Sequence, residues 1–471
     1  MGWGMAEQSN AGGPASSNEG LFRRLLRAAE IDTRMLGMLA ALLLIWVGFD
    51  VMSAILRPGG GGLFGGSFLT SRNLWILLVQ TSVIAVMTTG MVLVIVLRQI
   101  DLSVGSMLSV VAVATGVLQV FELGPTLGVG HPAIWIIAVI FAIALGAAIG
   151  MFNGVLIAYG QIPSFIVTLG GLIAFSGAAF LIASGVTVAP MDKTFKLIGG
   201  NGPLASIGPM WSWVLAAVAC VGIGIATLSG RRRRLKFSFA PKPVWADVLT
   251  VVVGCAAVLG TTAVVNSYLW PARVAERFAV ENNIPIPAGV ENRAGLAICT
   301  AGDKVVTCLD GLSFQTGYPI PVLIMLAVGL VMTFVARRTR FGRYIFATGG
   351  NPEAAELAGV NTKRLTVMVF TLMGALVGIS AIIASARLDA ATTALGTLNE
   401  LYVIAAAVIG GTSLAGGIGT IYGAIVGALL MQSLQSGMAL LNVDSAYTNI
   451  VVGIVLVLAV FVDQAYRRRV K

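Results

Sequence analysis

Few residues in this chain of 471 could carry out bond chemistry, and their spacing is informative. There is one histidine, His131, in a loop beside Pro132. A lone loop histidine supplies no ligand set for zinc hydrolysis, which needs three or four converging donors. No G-x-x-x-x-G-K-[S/T] sequence occurs, so the chain cannot cradle nucleotide phosphates in the Walker manner. A nucleotide that drives it would be bound by another subunit, and no bound cofactor or metal is expected here. Acidic residues are scarce in the apolar stretches: Asp50 lies near the end of the first, Asp101 follows Arg98 at a break, and Asp389 and Glu400 fall at another break. Ion-driven carriers commonly place acids in mid-membrane. Their scarcity weakens ion coupling without excluding it, because carbonyls and hydroxyls also hold sodium.

The four cysteines divide into two pairs. Cys220 and Cys255 lie inside apolar stretches and read as small apolar residues. Cys299 and Cys308 flank the sequence AICTAGDKVVTC, equidistant from a turn at Asp303 and Lys304. Two β-prone arms closed by that turn would set the thiols opposite each other, on a side of the membrane that permits a disulfide. Two free thiols are the alternative.

The elements that must position these residues are membrane-spanning. Hydrophobic residues make up 57% of the chain and charged residues 11%, against about 25% charged in soluble proteins. The mean hydropathy is +0.92. Windows of bilayer length predict an all-α polytopic bundle of about 10–12 spans, near 36–56, 74–97, 103–121, 133–158, 164–186, 211–229, 248–269, 318–336, 366–386, 401–416, 419–441 and 449–464. Residues 1–34 are predicted to form a disordered cytoplasmic tail, without the apolar core of a signal peptide. Residues 35–471 are read as one transmembrane domain, with an outer loop at about 271–317 and a cytoplasmic loop at about 337–365.

Arginines cluster beside the spans, at Arg23, Arg24 and Arg27, at Arg231 to Arg234, at Arg337, Arg338 and Arg340, and at Arg467 to Arg469. This is the positive-inside pattern, and twelve crossings put both termini in the cytoplasm. The formal charge of +10 therefore belongs to a membrane protein; the runs are too far apart to form a continuous nucleic-acid surface. Trp46, Trp75, Trp135, Trp211, Trp213, Trp245 and Trp270 sit in or near span ends, where lipid anchoring is the simplest role. Gly146, Gly150 and Gly154, and Gly423 and Gly427, recur at the spacing that lets helix backbones approach.

Three segments carry a more specific likeness. They are QTSVIAVMTTGMVLVIVLRQIDLSVGSMLSV (80–110), QIPSFIVTLGGLIAFSG (161–177), and FGRYIFATGGNPEAAELAGVNTKRL (341–365) continuing to VIGGTSLAGGIGTIYGAIVGALL (408–430). Together they resemble the permease subunit of bacterial ATP-binding-cassette importers for ribose, xylose and galactose, over about Phe68 to Asp463. The basic run followed by the additional apolar segment at 248–269 looks most like the xylose permeases. The loop from Pro271 to Tyr318 is longer than that pattern leads one to expect.

The sequence TGGNPEAAELAGVNTKRL reads as a short free helix on its own terms. Asn351 is a good N-cap, Pro352 suits the first helical position, Glu353 places negative charge at the positive helix end, and Gly359 can end the helix. Ala354, Ala355 and Ala358 are expected to present a small-residue surface. By resemblance this is the coupling helix that rests in a groove of the ATP-binding subunit; the bland alternative is a merely amphipathic turn.

The resemblance implies a non-enzymatic subunit of the bacterial inner membrane that imports a pentose, most simply D-xylose, delivered by a periplasmic binding protein. ATP would be bound by the partner subunit, and a second copy of the chain would complete the path. A neutral sugar needs hydroxyls and amides, and Gln80, Thr81, Ser82, Thr88, Thr89, Asn153 and Ser164 are polar residues in the spans that could face it. Each could equally bond a neighbouring helix or its own backbone. The alternatives are a self-contained ion-coupled carrier and, further off, a membrane-embedded enzyme, for which one histidine and few buried acids supply no base and nucleophile pair.

Overall fold

The computed structural model describes residues 33–56, 65–239, 241–268, 270, 291–293, 296–301, 304–307 and 316–470. Among them are ten helices long and apolar enough to cross a bilayer, and the membrane part is all-α. Lipid leaves no water to satisfy a backbone, so only helices with internal bonding can span it. Prolines accordingly gather at helix starts, where a missing N–H breaks no helical bond. Pro132 precedes α4 (Ala133–Ala158), Pro163 precedes α5 (Ser164–Ile182), Pro243 precedes α8 (Val244–Asn266) and Pro319 precedes α9 (Ile320–Arg338).

The other long elements are α1 (Thr33–Leu56), α2 (Ser71–Val96), α3 (Val104–Val117), α7 (Gly208–Lys236), α12 (Thr362–Leu388), α14 (Ile421–Leu440) and α15 (Ser445–Val470). A π-helical turn, Leu118–Leu123, carries α3 on to Leu127. Shorter pieces are α6 (Lys193–Ile198), α10 (Arg340–Gly350), α11 (Pro352–Leu357) and α13 (Asn399–Ile409).

The bundle is built around α2, of whose apolar window 94% is buried, with α9, α12, α13 and α14 packed on it. The α7 and α8 pair is peripheral, with 6% and 11% buried. Helices α4 and α12 form the closest seam. A β-carbon on Gly146 would meet Gly374 O, one on Gly150 would meet Phe370 O, and one on Gly378 would meet Ala142 O. Gly154 faces Val367 in the same way, and Gly423 and Gly427 face Gly410 and Ala406. The recurring glycines therefore serve close backbone packing, as small-residue spacing suggests.

The stretch expected to span at 401–416 does not do so as a helix. Helix α13 has 11 residues and is about 16 Å long, half of a ~30 Å hydrocarbon core. Beyond it Gly411, Gly416 and Gly417 adopt φ of +88°, +86° and +75°, which end the helix in a glycine turn. The crossing is nevertheless completed. Asp389 is paired with Lys196 at one end of the bundle, whereas Gly417 donates to Val96 O at the other. Residues 389–398 thus enter as irregular chain and 399–409 leave as helix. Among the described residues ten of the expected spans are helices long and apolar enough to cross, 401–416 holds only the short α13, and 449–464 lies within α15.

Among its described residues the loop after α8 carries three short antiparallel strands, β1 (Glu291–Arg293), β2 (Leu296–Ala301) and β3 (Lys304–Thr307). Cys299 lies opposite Val306 in this register. Cys308 lies outside the described residues, and with it the expected pairing to Cys299.

Candidate functional site at the arginine-rich end

Three chain breaks meet at Arg98, at the end of the bundle where α9 also ends in Arg337 and Arg338. Helix α2 ends at Val96, and the following Arg98 adopts φ +61°. Its guanidinium donates from Nε to Gly349 O at 2.8 Å and from Nη2 to Gly350 O at 2.7 Å. Those carbonyls close α10, and a cation there complements the negative end of a helix. Gly417, in the turn after α13, donates to Val96 O at 3.0 Å. Glycine is required at the contact: a β-carbon on Gly349 would land on Val96 O and within 2.8 Å of Gly417 N, and one on Gly416 would strike the Arg98 side chain.

The short helix α11 hangs directly from this junction. Asn351 Oδ1 accepts from Ala354 N at 3.0 Å, Pro352 fills the first turn, Glu353 is acidic there, and Gly359 leaves at φ +83°. Asn361 Oδ1 then accepts from Arg364 N at 2.8 Å and starts α12. Ala354 and Ala358 are exposed, but Ala355, expected on the same surface, is 5% exposed. In so short a helix the return of the chain into α12 decides the covered face, and α11 packs on α10 and α12 through it. The outward position belongs instead to Leu357, 91% exposed.

Above the junction, two interrupted crossings touch. Between α2 and α3 the buried Asp101 Oδ1 accepts from Ser103 N at 2.9 Å and Ser103 Oγ at 2.6 Å. Ser103 Oγ also accepts from Asn153 Nδ2 at 3.1 Å, and Ser164 Oγ accepts from Ile100 N at 3.3 Å. Asn153 and Ser164 therefore hold the break. Glu400, buried in the first turn of α13, faces Gly105 at the start of α3: a β-carbon on Gly105 would meet Glu400 Oε2 and Gly396 O. Ser109 Oγ accepts from Gly396 N at 3.0 Å. Two helix starts within the bundle, lined by irregular backbone, make an arrangement suited to holding a polar solute away from lipid.

The remaining candidate lining residues are spread along α2. Thr81, Ser82, Thr88 and Thr89 are buried and donate to Leu77 O, Leu78 O, Ile84 O and Val86 O of their own helix. Gln80 Oε1 accepts from Gln432 Nε2 of α14 at 3.0 Å. Among the described residues no cluster of three or more His, Cys, Asp or Glu side chains could hold a metal.

Residues 73–460 match the family model described as the branched-chain amino acid transport system permease component. The chain belongs to that permease family. Curated relatives of the permease include the xylose transport system permease proteins of Haemophilus influenzae, 33% identical over 86% of this chain and 92% of that one, and of Escherichia coli K12, 35% identical over 86% and 88%. The ribose import permease protein of Escherichia coli K12 is 31% identical over 84% of this chain and 87% of its own. No solved structure matches the permease.

Arg98 is the residue of this permease that the sequence underrates. Locally it reads as one more basic residue at a span end, while its acceptors lie 251 and 252 residues away. The usable signal is that it stands alone in the break between α2 and α3, far from any basic run.

Proposed function

We propose that this chain is the membrane subunit of an ATP-driven sugar importer of the bacterial inner membrane, carrying a pentose and most specifically D-xylose. The observation that carries the reading is its 33–35% identity, over 86% of its length, to xylose transport permeases. The sugar is supported over the amino acids of the family description by those relatives and by the ribose permease. The arginine-rich end faces the cytoplasm, following the positive-inside rule, and both termini lie there.

In this reading α11 docks on a separate ATP-binding subunit through Leu357, Ala354 and Ala358. The docked helix moves Gly349 and Gly350, and Arg98 passes that displacement to the break at Asp101 and to the glycine turn below α13. The facing helix starts of α3 and α13 line the path, with a second copy of the chain and a periplasmic binding protein completing the importer. Asn153 and Ser164 act by holding the break in shape.

The test is copurification in mild detergent from native membranes, followed by xylose uptake in vesicles. Wild type is expected to bring down a stoichiometric ATP-binding subunit, and Leu357→Arg to lose it while retaining its gel-filtration profile, because a charge in the centre of a packed contact is costly to desolvate. Uptake by the purified polypeptide alone, driven by an ion gradient, would replace the importer with a self-contained carrier. Uptake that ignores xylose but follows another solute would retain the machine and discard the substrate.

A further inference from the structure

A second polar site lies outside the proposed path, between α9, α10 and the start of α14. A cavity of about 520 Å³ is lined by Arg337, Arg343, Phe346, Gly419 and Thr420 among others. Neither arginine pairs with a carboxylate among the described residues. Arg337 stacks its guanidinium over the Tyr422 ring at 5.2 Å, which occupies the face of the group and leaves its N–H edge available. Arg343 donates one Nη1 bond to Arg338 O and is otherwise exposed. Thr420 makes no side-chain bond to the first turn of α14, so the positive end of a 20-residue helix opens on the same cavity.

The wall that continues from the cavity is apolar and exposed. Leu330 and Phe334, 73% and 61% exposed, precede Arg337 on one face of α9 at helical spacing. A ligand matching this surface has a singly charged phosphodiester at Arg337 and Arg343 and a hydrocarbon chain along Phe334 and Leu330. We propose that this cavity is a binding site for an anionic phospholipid. Two guanidiniums lining one cavity offer a phosphate more donors than a single lysine would, and basic pockets between membrane helices are suited to such headgroups. Ile418, 53% exposed beside the cavity, extends the apolar rim.

The site is tested on the purified full-length chain after delipidation in detergent. The protein is incubated with phosphatidylglycerol, with phosphatidylcholine or with inorganic phosphate, and read by native mass spectrometry and by thermal unfolding. Wild type is expected to retain phosphatidylglycerol and to unfold at a higher temperature with it, and to do neither with phosphatidylcholine. Removing the charge-assisted contacts in Arg337→Gln/Arg343→Gln should lower phosphatidylglycerol retention by about tenfold. Arg232→Gln/Arg233→Gln, which removes the same charge from the exposed end of α7, should leave it unchanged. Arg343→Gln alone serves if the double variant does not fold, since Arg343 is exposed. Equal retention in the cavity variant and wild type, or equal retention of both lipids, would overturn the proposal. So would stabilisation by inorganic phosphate without lipid retention, which would mark a free-anion site.

Discussion

The two ends of this permease share close backbone contacts and differ in the charged group added to them. At the arginine-rich end Gly349 packs on Val96 O and Gly417 N donates to Val96 O, and the charged group is the Arg98 guanidinium on the carbonyls of Gly349 and Gly350. At the opposite end backbone contacts recur, since Val188 and Ala391 exchange backbone hydrogen bonds and a β-carbon on Gly199 would strike Arg387 N, and an ion pair with several side-chain bonds is added to them. Lys196 Nζ meets Asp389 Oδ2 at 3.2 Å, Met191 N donates to Asp389 Oδ1, and Asn201 Nδ2 donates to Arg387 O. Trp75, Tyr268 and Trp270 form an aromatic cluster beside them, with Trp75 Nε1 donating to Gly317 O. Backbone contacts through glycine leave no slack, so a displacement at one segment is passed to the next. The partly exposed Lys196–Asp389 pair, in contrast to the Arg98 clamp, can part and re-form without moving the helices that carry it.

The largest effect is expected from Gly349→Val, which tests the shared backbone packing at the arginine-rich end. A β-carbon there collides with backbone, which cannot rotate away, and overpacking of this kind typically costs about 1–3 kcal/mol or more. Little folded protein is expected by gel filtration in detergent; near-normal yield and melting temperature would mean that the arginine-rich end is not packed as described. Arg98→Ala is expected to follow, losing two charge-assisted bonds and destabilising by roughly 1.5–3 kcal/mol for each in a well-buried setting, less here where one is exposed. Arg98→Lys should recover only part of the loss, since an ammonium cannot span two carbonyls as a planar fork does. Full rescue by lysine in thermal unfolding would reduce Arg98 to a charge. The smallest effect belongs to the other end. Lys196→Gln removes an ion pair whose side chains are 27% and 33% exposed, and a change below about 1 kcal/mol, shrinking further in high salt, is expected from unfolding at two ionic strengths.

Much of the architecture is legible in the sequence because lipid imposes a simple rule of length and apolarity. The spans read from hydropathy coincide with helices within a few residues, as at 133–158. The stretch at 401–416 misleads because glycine passes as apolar in a hydropathy window while its backbone freedom ends the helix. The Asn351 cap is legible since capping is local, whereas the burial of Ala355 depends on where α12 begins its return. Trp75 reads as a lipid anchor but is 5% exposed inside an aromatic cluster, because its partners Tyr268 and Trp270 come from the far end of α8. Arg98 stands out by its isolation in the break, but its partners are not legible, because its acceptors are distant backbone atoms and any residue supplies those.

The seam of α4 and α12 bears on how the protein is made. Gly146 and Gly150 meet Gly374 and Phe370, and the partner helix is encoded roughly 230 residues later, which at about 5–20 residues per second is about 10–45 s of synthesis. Over that interval the glycine face of α4 has only lipid or the insertion machinery for company. Membrane helices insert before they associate, so α4 must be stable as an isolated span, and its apolar sequence with a hydropathy of 2.6 is suited to that wait. Assembly of the bundle is therefore completed late, when the chain is nearly finished, and a ribosome stalled before α12 would leave a membrane-inserted fragment with an open groove.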